Sequence, residues 1–518
     1  MGRIDRHGRQ SGRGIFAVRK VHHVLVLAVL FFALTAAAAW AKGDVLTVAN
    51  QYDAKSLDPI ATTDMASGGV MRAIYDNLLE IKPDLTLEPR LAESWRQLND
   101  LEYEFVLRKG VAFQNGEPFT ADDVKFTFER AMGPAGNMVR SLVEDMESVT
   151  AVDDHKVVVK LKKPNATFLM SLGHTFALML NRKAVESAGD DYGMNPVGTG
   201  PFRLEQWEKG SKVTLTRFDD FWGDKPAYRT LIFRAVTEPS SRTIELETAA
   251  VDISYYIAPN DIKRIEENPQ LQLFRTGDTS VTYMGLNCAK PPFDDVRARK
   301  AIAHALDVTV VHNAAWRGVG SVPAGAMPPS IRYYDKEQKV RQQDKELAKK
   351  LMEEVGIKAG TKFQIWTNER KERVDMATII QNQLEEYGIT SEIKILEWGA
   401  YLDGLKKKEH DLFILGWNSS VPDPDYALGG VFLSNMIGTQ NFAYFDNKEV
   451  DEMLYQGRQM VDGPEREALY VKVQRKLNDE YPWIYLHNDE WIIGAQKDVK
   501  DFGLNPLGYH SLRRVRFD

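Results

Sequence analysis

The sequence predicts an α/β protein with mixed sheets, and three observations carry that prediction. Between Lys362 and Trp417, short apolar strands alternate with helical periodicity in the order β-α-β-α-β, the repeating unit of a parallel sheet with covered faces. Between Asn195 and Tyr283 the pattern changes to alternation punctuated by Gly and Pro, as in antiparallel strands. The 518 residues are 43% hydrophobic and 27% charged, a globular composition with room for two or three domains.

Residues 1–41 differ in kind. Arg3, Arg6, Arg9, Arg13, Arg19 and Lys20 face one acid, Asp5; Val24 to Ala39 carries no charge; Ala39-Trp40-Ala41 offers a small-residue cleavage site. That order is the signature of a secretory signal peptide, so 1–41 is expected to be removed on export. An uncleaved anchor is the alternative, since Val21 to Ala41 nearly spans a bilayer. The whole chain has 66 basic and 73 acidic residues; without the leader's 6 bases and 1 acid, 60 oppose 72, a net charge of −12. So acidic a chain suits neither nucleic acid nor an anionic membrane surface. Cys288 is the sole cysteine, so no disulfide, cysteine metal cluster or lipid-modified amino terminus is expected.

Val45 to Ala49 reads as a strand, and Ser67 to Leu79 has helical spacing through Val70, Ile74 and Leu78. Leu101, Tyr103, Phe105 and Leu107 alternate as a strand. Thr120, three residues before Asp123, opens a helix with Val124, Phe128 and Ala131 on one face. Pro196 to Gly223 is a hairpin headed by Gly198, Gly200 and Pro201; Phe202, Leu204 and Gln206 share one face, Lys209-Gly210-Ser211 turns the chain, and Val213 and Leu215 return. One helix near Ser241 to Ala249 interrupts the following strands. Val296 to Ala305 is helical under Asp294 or Asp295, with a domain boundary just before it. The β-α-β-α-β region divides into Phe363–Trp366, helix Asp375–Tyr387 ended by Gly388, Ile389–Leu396, helix Tyr401–Lys408 and Leu412–Trp417. Helices around Val450–Arg458 and Glu465–Glu480 precede a last strand, Trp483–Leu486, and a short β-like tail.

In open α/β sheets ligands sit beyond the carboxyl ends of the strands. Here those ends deliver Trp366, Asn368 and Arg370, then Trp398, then Trp417, Asn418, Ser420, Asp423 and Tyr426. Indoles converging with a cation, amides, hydroxyls and carboxylates make a pocket for a small polar ligand with an apolar body. The plainer alternative is that the tryptophans are core and Arg370 lies on a solvated helix start. Catalysis lacks a motif: there is no G-x-S-x-G, no H-E-x-x-H and no phosphate-binding Gly-Lys loop. His304 and His312, eight apart, are a weak metal pair. The chain reads as a binder, with no enzymatic activity, cofactor or metal expected.

Several strings, in order, resemble the family 5 periplasmic solute-binding proteins of ABC importers. They are SLDP at Ser56, LAESW at Leu91, RKGVAFQNGEPFTADDV at Arg108, VGTGPF at Val197 with FWG at Phe221, NCAKPPFDDVRARKAIAHALD at Asn287, EWGAYL at Glu397, DLFILGW at Asp411 and YPWIYLH at Tyr481. The resemblance covers 44–518 and implies a two-lobed periplasmic binding protein (type II, with an extra subdomain) that closes by a hinge. Lobe 1 would be 42–286 plus 489–518, with a subdomain at about 76–195; lobe 2 would be 287–488. The crossings would fall near Tyr283–Asn287 and His487–Glu490. The implied role is a monomeric periplasmic receptor that hands a dipeptide, oligopeptide or glutathione-like peptide to an inner-membrane ABC permease. The same fold holding an opine, an oligosaccharide or a metal chelate is the alternative. By resemblance Thr63, Asp64 and Met65 lie along the ligand, Asn287 and His487 stand at the crossings, and Arg370, ahead of Arg373, binds a ligand carboxylate. Peptide-binding relatives hold the ligand α-ammonium with an aspartate whose counterpart here is Ser420. Asp423, Asp425 or Asp64 is then expected to supply that charge.

Overall fold

The computed structural model describes residues 43–518, so the expected signal segment lies outside the described residues. The chain divides into Met1–Val45 and Leu46–Asp518, and the second unit holds the elements below apart from Val45 itself. Ten strands form one mixed sheet. In spatial order they are Thr390–Leu396, Lys362–Asn368, Leu412–Asn418, Leu271–Leu286, Trp483–Gln496, Ile253–Ser254, Val45–Asn50, Thr230–Ala235, Lys212–Arg217 and Phe202–Glu208.

The β-α-β-α-β expectation holds. Lys362–Asn368 pairs in parallel with both Thr390–Leu396 and Leu412–Asn418, and the connecting helices are Lys371–Glu385 and Trp398–Lys406. Both helices start earlier than apolar spacing alone indicates. Their first turns are polar or exposed: Lys371 pairs with Asp375, and Glu397 caps Gly399 and Ala400. The last strand is a larger departure. Trp483–Gln496 runs for 14 residues, through the polar string His487-Asn488-Asp489-Glu490 that ended it in the sequence reading. It pairs antiparallel with the 16-residue strand Leu271–Leu286, from Leu271↔Gln496 to Gly285↔Trp483. Cross-strand partners satisfy the polar backbone, so the ladder continues where apolar periodicity stops.

Burial sorts into separate clusters. Val48, Tyr75, Phe202, Leu231 and Ile493 belong to one, and Phe105, Phe128, Val159 and Phe176 to another against a four-stranded sheet of Ala92–Asn99, Glu102–Leu107, Lys156–Leu161 and Met146–Asp153. Tyr283, Phe413, Phe432 and Trp483 pack together, with Tyr283 stacked on Trp483 at 3.3 Å and 8°. Met284, Ile302, Ile365, Ile380 and Ile414 form a further cluster.

The turn Gly198–Pro201 shows why its glycines are needed. The helix Met65–Ile74 stops five residues before Leu79, the end expected from Leu78 spacing, because Ile74 O is taken by Gly200 N (2.8 Å) and Gln114 Nε2 (2.9 Å). A Cβ on Gly200 would lie 2.6 Å from Ile74 C, and one on Gly198 2.2 Å from Ile74 O. Backbone cannot yield there as a side-chain tip can. Gly200→Ala is therefore expected to destabilise by about 1–3 kcal/mol, seen as a lower urea midpoint at unchanged slope. In the hairpin beyond, a bulge between Leu204 and Gln206 turns Trp207 inward in place of Gln206, and Trp207 Nε1 donates to Asp53 at 3.1 Å.

Candidate functional site

Between the pairs Gly277↔Glu490 and Val281↔Asn488, three residues of one strand, Asp278, Thr279 and Ser280, stand opposite one residue of the other, Asp489. A bulge of this kind re-aims side chains. Here it puts Asp278 and Ser280 against Asp489. Ser280 N and Oγ donate to Asp278 Oδ1 at 2.6 Å each, and Ser280 Oγ lies 3.2 Å from Asp489 Oδ2. Burial and the neighbouring Asp489 carboxylate push Asp278 up to about 7, against the Ser280 hydrogen bonds and the charge of Arg370. Burial pushes Asp489 up as well, but His487 and Arg370 outweigh it and hold that carboxyl below its ordinary range.

His487 is fully buried. Its Nε2 is 2.8 Å from Asp489 Oδ1 and its Nδ1 is 3.1 Å from His312 Nδ1. Burial, then His487, lowers His312 to about 4, which keeps that ring neutral. Trp316 stacks on His487 at 3.9 Å and 10°, and the Arg370 guanidinium lies 5.2 Å from the Trp316 ring centre.

The strand Leu412–Asn418 ends at the same place, since Asn418 pairs with Ser280 and Ser419 N donates to Thr279 O. Half-buried Trp417 stacks on Tyr426 at 5.7 Å, and Ser420 Oγ donates to Tyr426 OH at 3.1 Å. Trp417 Nε1, Ser419 Oγ and Thr279 Oγ1 are buried without a hydrogen-bond partner. Such atoms are uncommon in folded proteins, and here they lie where Leu412–Asn418 and the residue after it pair with Leu271–Leu286. Tyr256 packs on Trp491 at 5.2 Å; burial, then the charges of Asp278, Tyr52 and Asp64, hold its phenol well above the ordinary value. Burial, with Tyr426 and Asp64, does the same to Tyr509. Both phenols therefore stay neutral donors beside Asp278, Asp64 and Tyr426.

Of the residues expected at the site, Asp64, Arg370, Trp417, Ser420, Tyr426 and His487 gather around this bulge. Thr63 and Asn418 are exposed, and Met65 packs beside Trp491 over Gly508. Asn368 accepts from Arg373 Nη1 at 3.2 Å, and Trp398 is 47% exposed at the start of its helix.

Three placements correct the sequence reading. Trp366 is 2% exposed and donates to Gln364 within the core, its ring against Gly404. Asn287 follows the far end of its strand, where Leu286 pairs with Leu412, and its fully buried amide donates to His410 O at 2.9 Å. Asp423 is fully buried in a two-pronged pair with Arg466, at 2.9 and 2.6 Å. Position at a strand end does not reveal which face a side chain takes. The expected sources of charge beside Ser420 are also engaged: Asp425 by Arg458 at 3.2 and 3.0 Å, and Asp64 as the cap of Met65–Ile74, accepting from Ser67 N and Oγ. The reading from sequence missed Asp278, Ser280, Asp489, Trp316, Tyr256 and Tyr509. The available signal was polar residues embedded in apolar strand sequence, Asp278-Thr279-Ser280 and His487-Asn488-Asp489.

Polar and aromatic side chains thus gather where two long strands of a mixed α/β chain pass between separate cores. A periplasmic binding protein of Helicobacter pylori, solved in complex with the peptide STSA, superposes with a TM-score of 0.78 at 28% identity, covering 91% of this chain and 98% of that one. The model for bacterial extracellular solute-binding proteins, family 5 Middle, matches residues 86–438, and the chain belongs to that family. It is 30% identical to the dipeptide-binding protein of Escherichia coli, over 86% of this chain and 89% of that protein. It is 29% identical to the glutathione-binding protein of Shigella dysenteriae, over 94% and 97%. Among the described residues, no helix is long and apolar enough to cross a membrane, and no three His, Cys, Asp or Glu side chains gather as metal ligands.

Proposed function

We propose that this chain is the monomeric periplasmic receptor of an ABC importer, capturing a short peptide between two lobes and passing it to an inner-membrane permease without chemistry. The relatives named for dipeptide and glutathione binding, and the neighbour solved with a tetrapeptide, support the ligand class. The observation that carries the reading is the gathering of Trp417, Tyr426, Tyr256 and Tyr509 with charges of both signs, Arg370 and the pair Asp278–Asp489. An apolar wall with opposite charges matches a zwitterion with an apolar body.

In this proposal the first lobe crossing is moved. Val281 and Tyr283 already pack with Phe413 and Trp483, so the crossing belongs at the bulge Asp278–Ser280, opposite Asp489, and not at Tyr283–Asn287. The cluster around the four-stranded sheet supports the proposed subdomain at about 76–195. Arg370, 41% exposed and held by Glu372 at 3.2 Å, is assigned to the ligand carboxylate. Arg370→Ala is expected to weaken an anionic ligand by about 1.5–3 kcal/mol in a calorimetric titration, and unchanged affinity removes it from the site.

Native mass spectrometry of protein purified without denaturation, with identification of what unfolding releases, tests the whole reading. A ladder of short peptides, or glutathione, is the expected result. A single non-peptide mass would overturn the peptide assignment and leave a receptor for another solute.

A further inference from the structure

A zwitterionic ligand needs a carboxylate as well as a cation, and most acids around the crossing are already bound. Arg466 holds Asp423, Arg458 holds Asp425, and the helix amino terminus at Ser67 occupies Asp64. Asp489 takes its hydrogen bond from His487. Asp278 differs from all of these. It is 9% exposed, and both hydrogen bonds to its side chain, from Ser280 N and Ser280 Oγ, end on Oδ1. Its Oδ2 has no partner among the described residues, and no Lys, Arg or His there is paired with it. Arg370 acts on it electrostatically from the rim but is hydrogen-bonded to Glu372. Leaving a carboxylate in this state is costly, and setting it beside Asp489 across a shared serine hydroxyl is costlier still. The bulge that creates the contact is also the place where the strands pass between cores.

We infer that the pair Asp278–Asp489, bridged by Ser280, is the counter-charge for a ligand's ammonium group, with Asp278 Oδ2 its direct acceptor. The inference rests on the proposed peptide ligand and adds to it: the free amino group is what the receptor selects. An ammonium placed there donates to Asp278 Oδ2 and offsets the repulsion between the two carboxylates, so binding relieves an unfavourable contact in addition to forming a new one. Tyr256, whose phenol feels the charge of Asp278, completes the polar wall on that side.

The test uses the full mature chain, with a ladder of unmodified di- to pentapeptides of alanine and phenylalanine and their N-acetyl counterparts, titrated against wild type, Asp278→Asn and Asp489→Asn. Wild type is expected to prefer the free-amino members by about tenfold or more, and each variant to lose most of that preference. Asparagine at 278 keeps an oxygen for Ser280 and removes a buried charge, so that variant is expected to fold; Asp489→Asn reads the same pair should it not. Undiminished preference for free amines in the variants overturns the anchor and leaves the peptide receptor standing. Equal loss of both ligand sets also overturns it, because it marks general damage to the site. A wild type that binds both sets equally has no ammonium anchor, and one that binds neither set overturns the peptide reading and the anchor together.

Discussion

Arg466→Met is expected to cost about 3–5 kcal/mol of stability, the largest effect of any single substitution considered. Both members of the Asp423–Arg466 pair are fully buried, with bonds of 2.9 and 2.6 Å, and Arg466 Nε also donates to Gly457 O at 2.8 Å. Burial opposes the arginine's charge, but Asp423 outweighs it and holds the guanidinium protonated more firmly than usual. Methionine fills much of the same volume, so the loss comes from leaving Asp423 as a lone buried carboxylate. The double replacement Asp423→Leu with Arg466→Met should recover most of it, since an apolar pair of similar size needs no desolvated charges. Chemical denaturation of the two single variants and the double variant measures this directly. A double variant as unstable as the worse single one would mean that the pair is irreplaceable for packing. The loop this ion pair holds also carries Ser420 and Tyr426, so Arg466→Met should weaken ligand binding although Arg466 touches no ligand.

Asp278→Asn is expected to raise stability, and by an amount that depends on pH. The folded carboxyl sits at about 7, against an ordinary value of 3.8. Between those values the folded chain holds the proton more tightly than the unfolded one. The contribution of this group is therefore fully present below about pH 4 and is lost as pH rises to about 7. The groups facing it are Asp489, Ser280, Arg370 and, beyond Asp489, His487. Asparagine removes the titration. The stability gap between variant and wild type should be small near pH 4 and grow to on the order of 2–4 kcal/mol by pH 8. Melting or urea curves across that range read it. Parallel curves would show that Asp278 and Asp489 are not forced together, which would undercut the ammonium anchor from the stability side. Gaining stability by removing a binding group is the usual trade at functional sites.

Periodicity made the parallel part of the sheet readable, because strands covered on both faces and amphipathic helices leave distinct repeats in sequence. The cap of Val296–Ala305, expected at Asp294 or Asp295 and found at Asp295, and the Thr120–Asp123 helix start were legible for the same local reason. What escaped was non-local. The end of the first helix at Ile74 depends on Gly200 and Gln114, far away in sequence. Two bulges were invisible, since one extra residue after Leu204, or two between Gly277 and Val281, leave no mark on composition yet re-aim the neighbouring side chains. At the proposed site, residue type did not reveal which side chains face which way. Trp417 and Trp366 were both expected at strand ends, yet one borders the proposed site and the other is core. Asp423 and Asp278 are both buried, and only the first has an arginine.

The strand Trp483–Gln496 has a consequence for how the chain must be made. Ile253–Ser254 and the strands beyond it reach the rest of the ten-stranded sheet only through Trp483–Gln496, which lies between Ile253–Ser254 and Leu271–Leu286. A ribosome or a translocation channel releases that strand more than two hundred residues after Ile253–Ser254, which it joins. Until then Val45–Asn50 and its neighbours form a partial sheet with an open edge, a state prone to pairing with other chains. This seam thus sets the timing of maturation: a nascent chain that has not yet released Trp483–Gln496 contains both halves of the sheet and no way to join them. Stalled or truncated products should therefore be recognisable as aggregation-prone intermediates, while the completed molecule acquires its crossing and its ladder in the same late step.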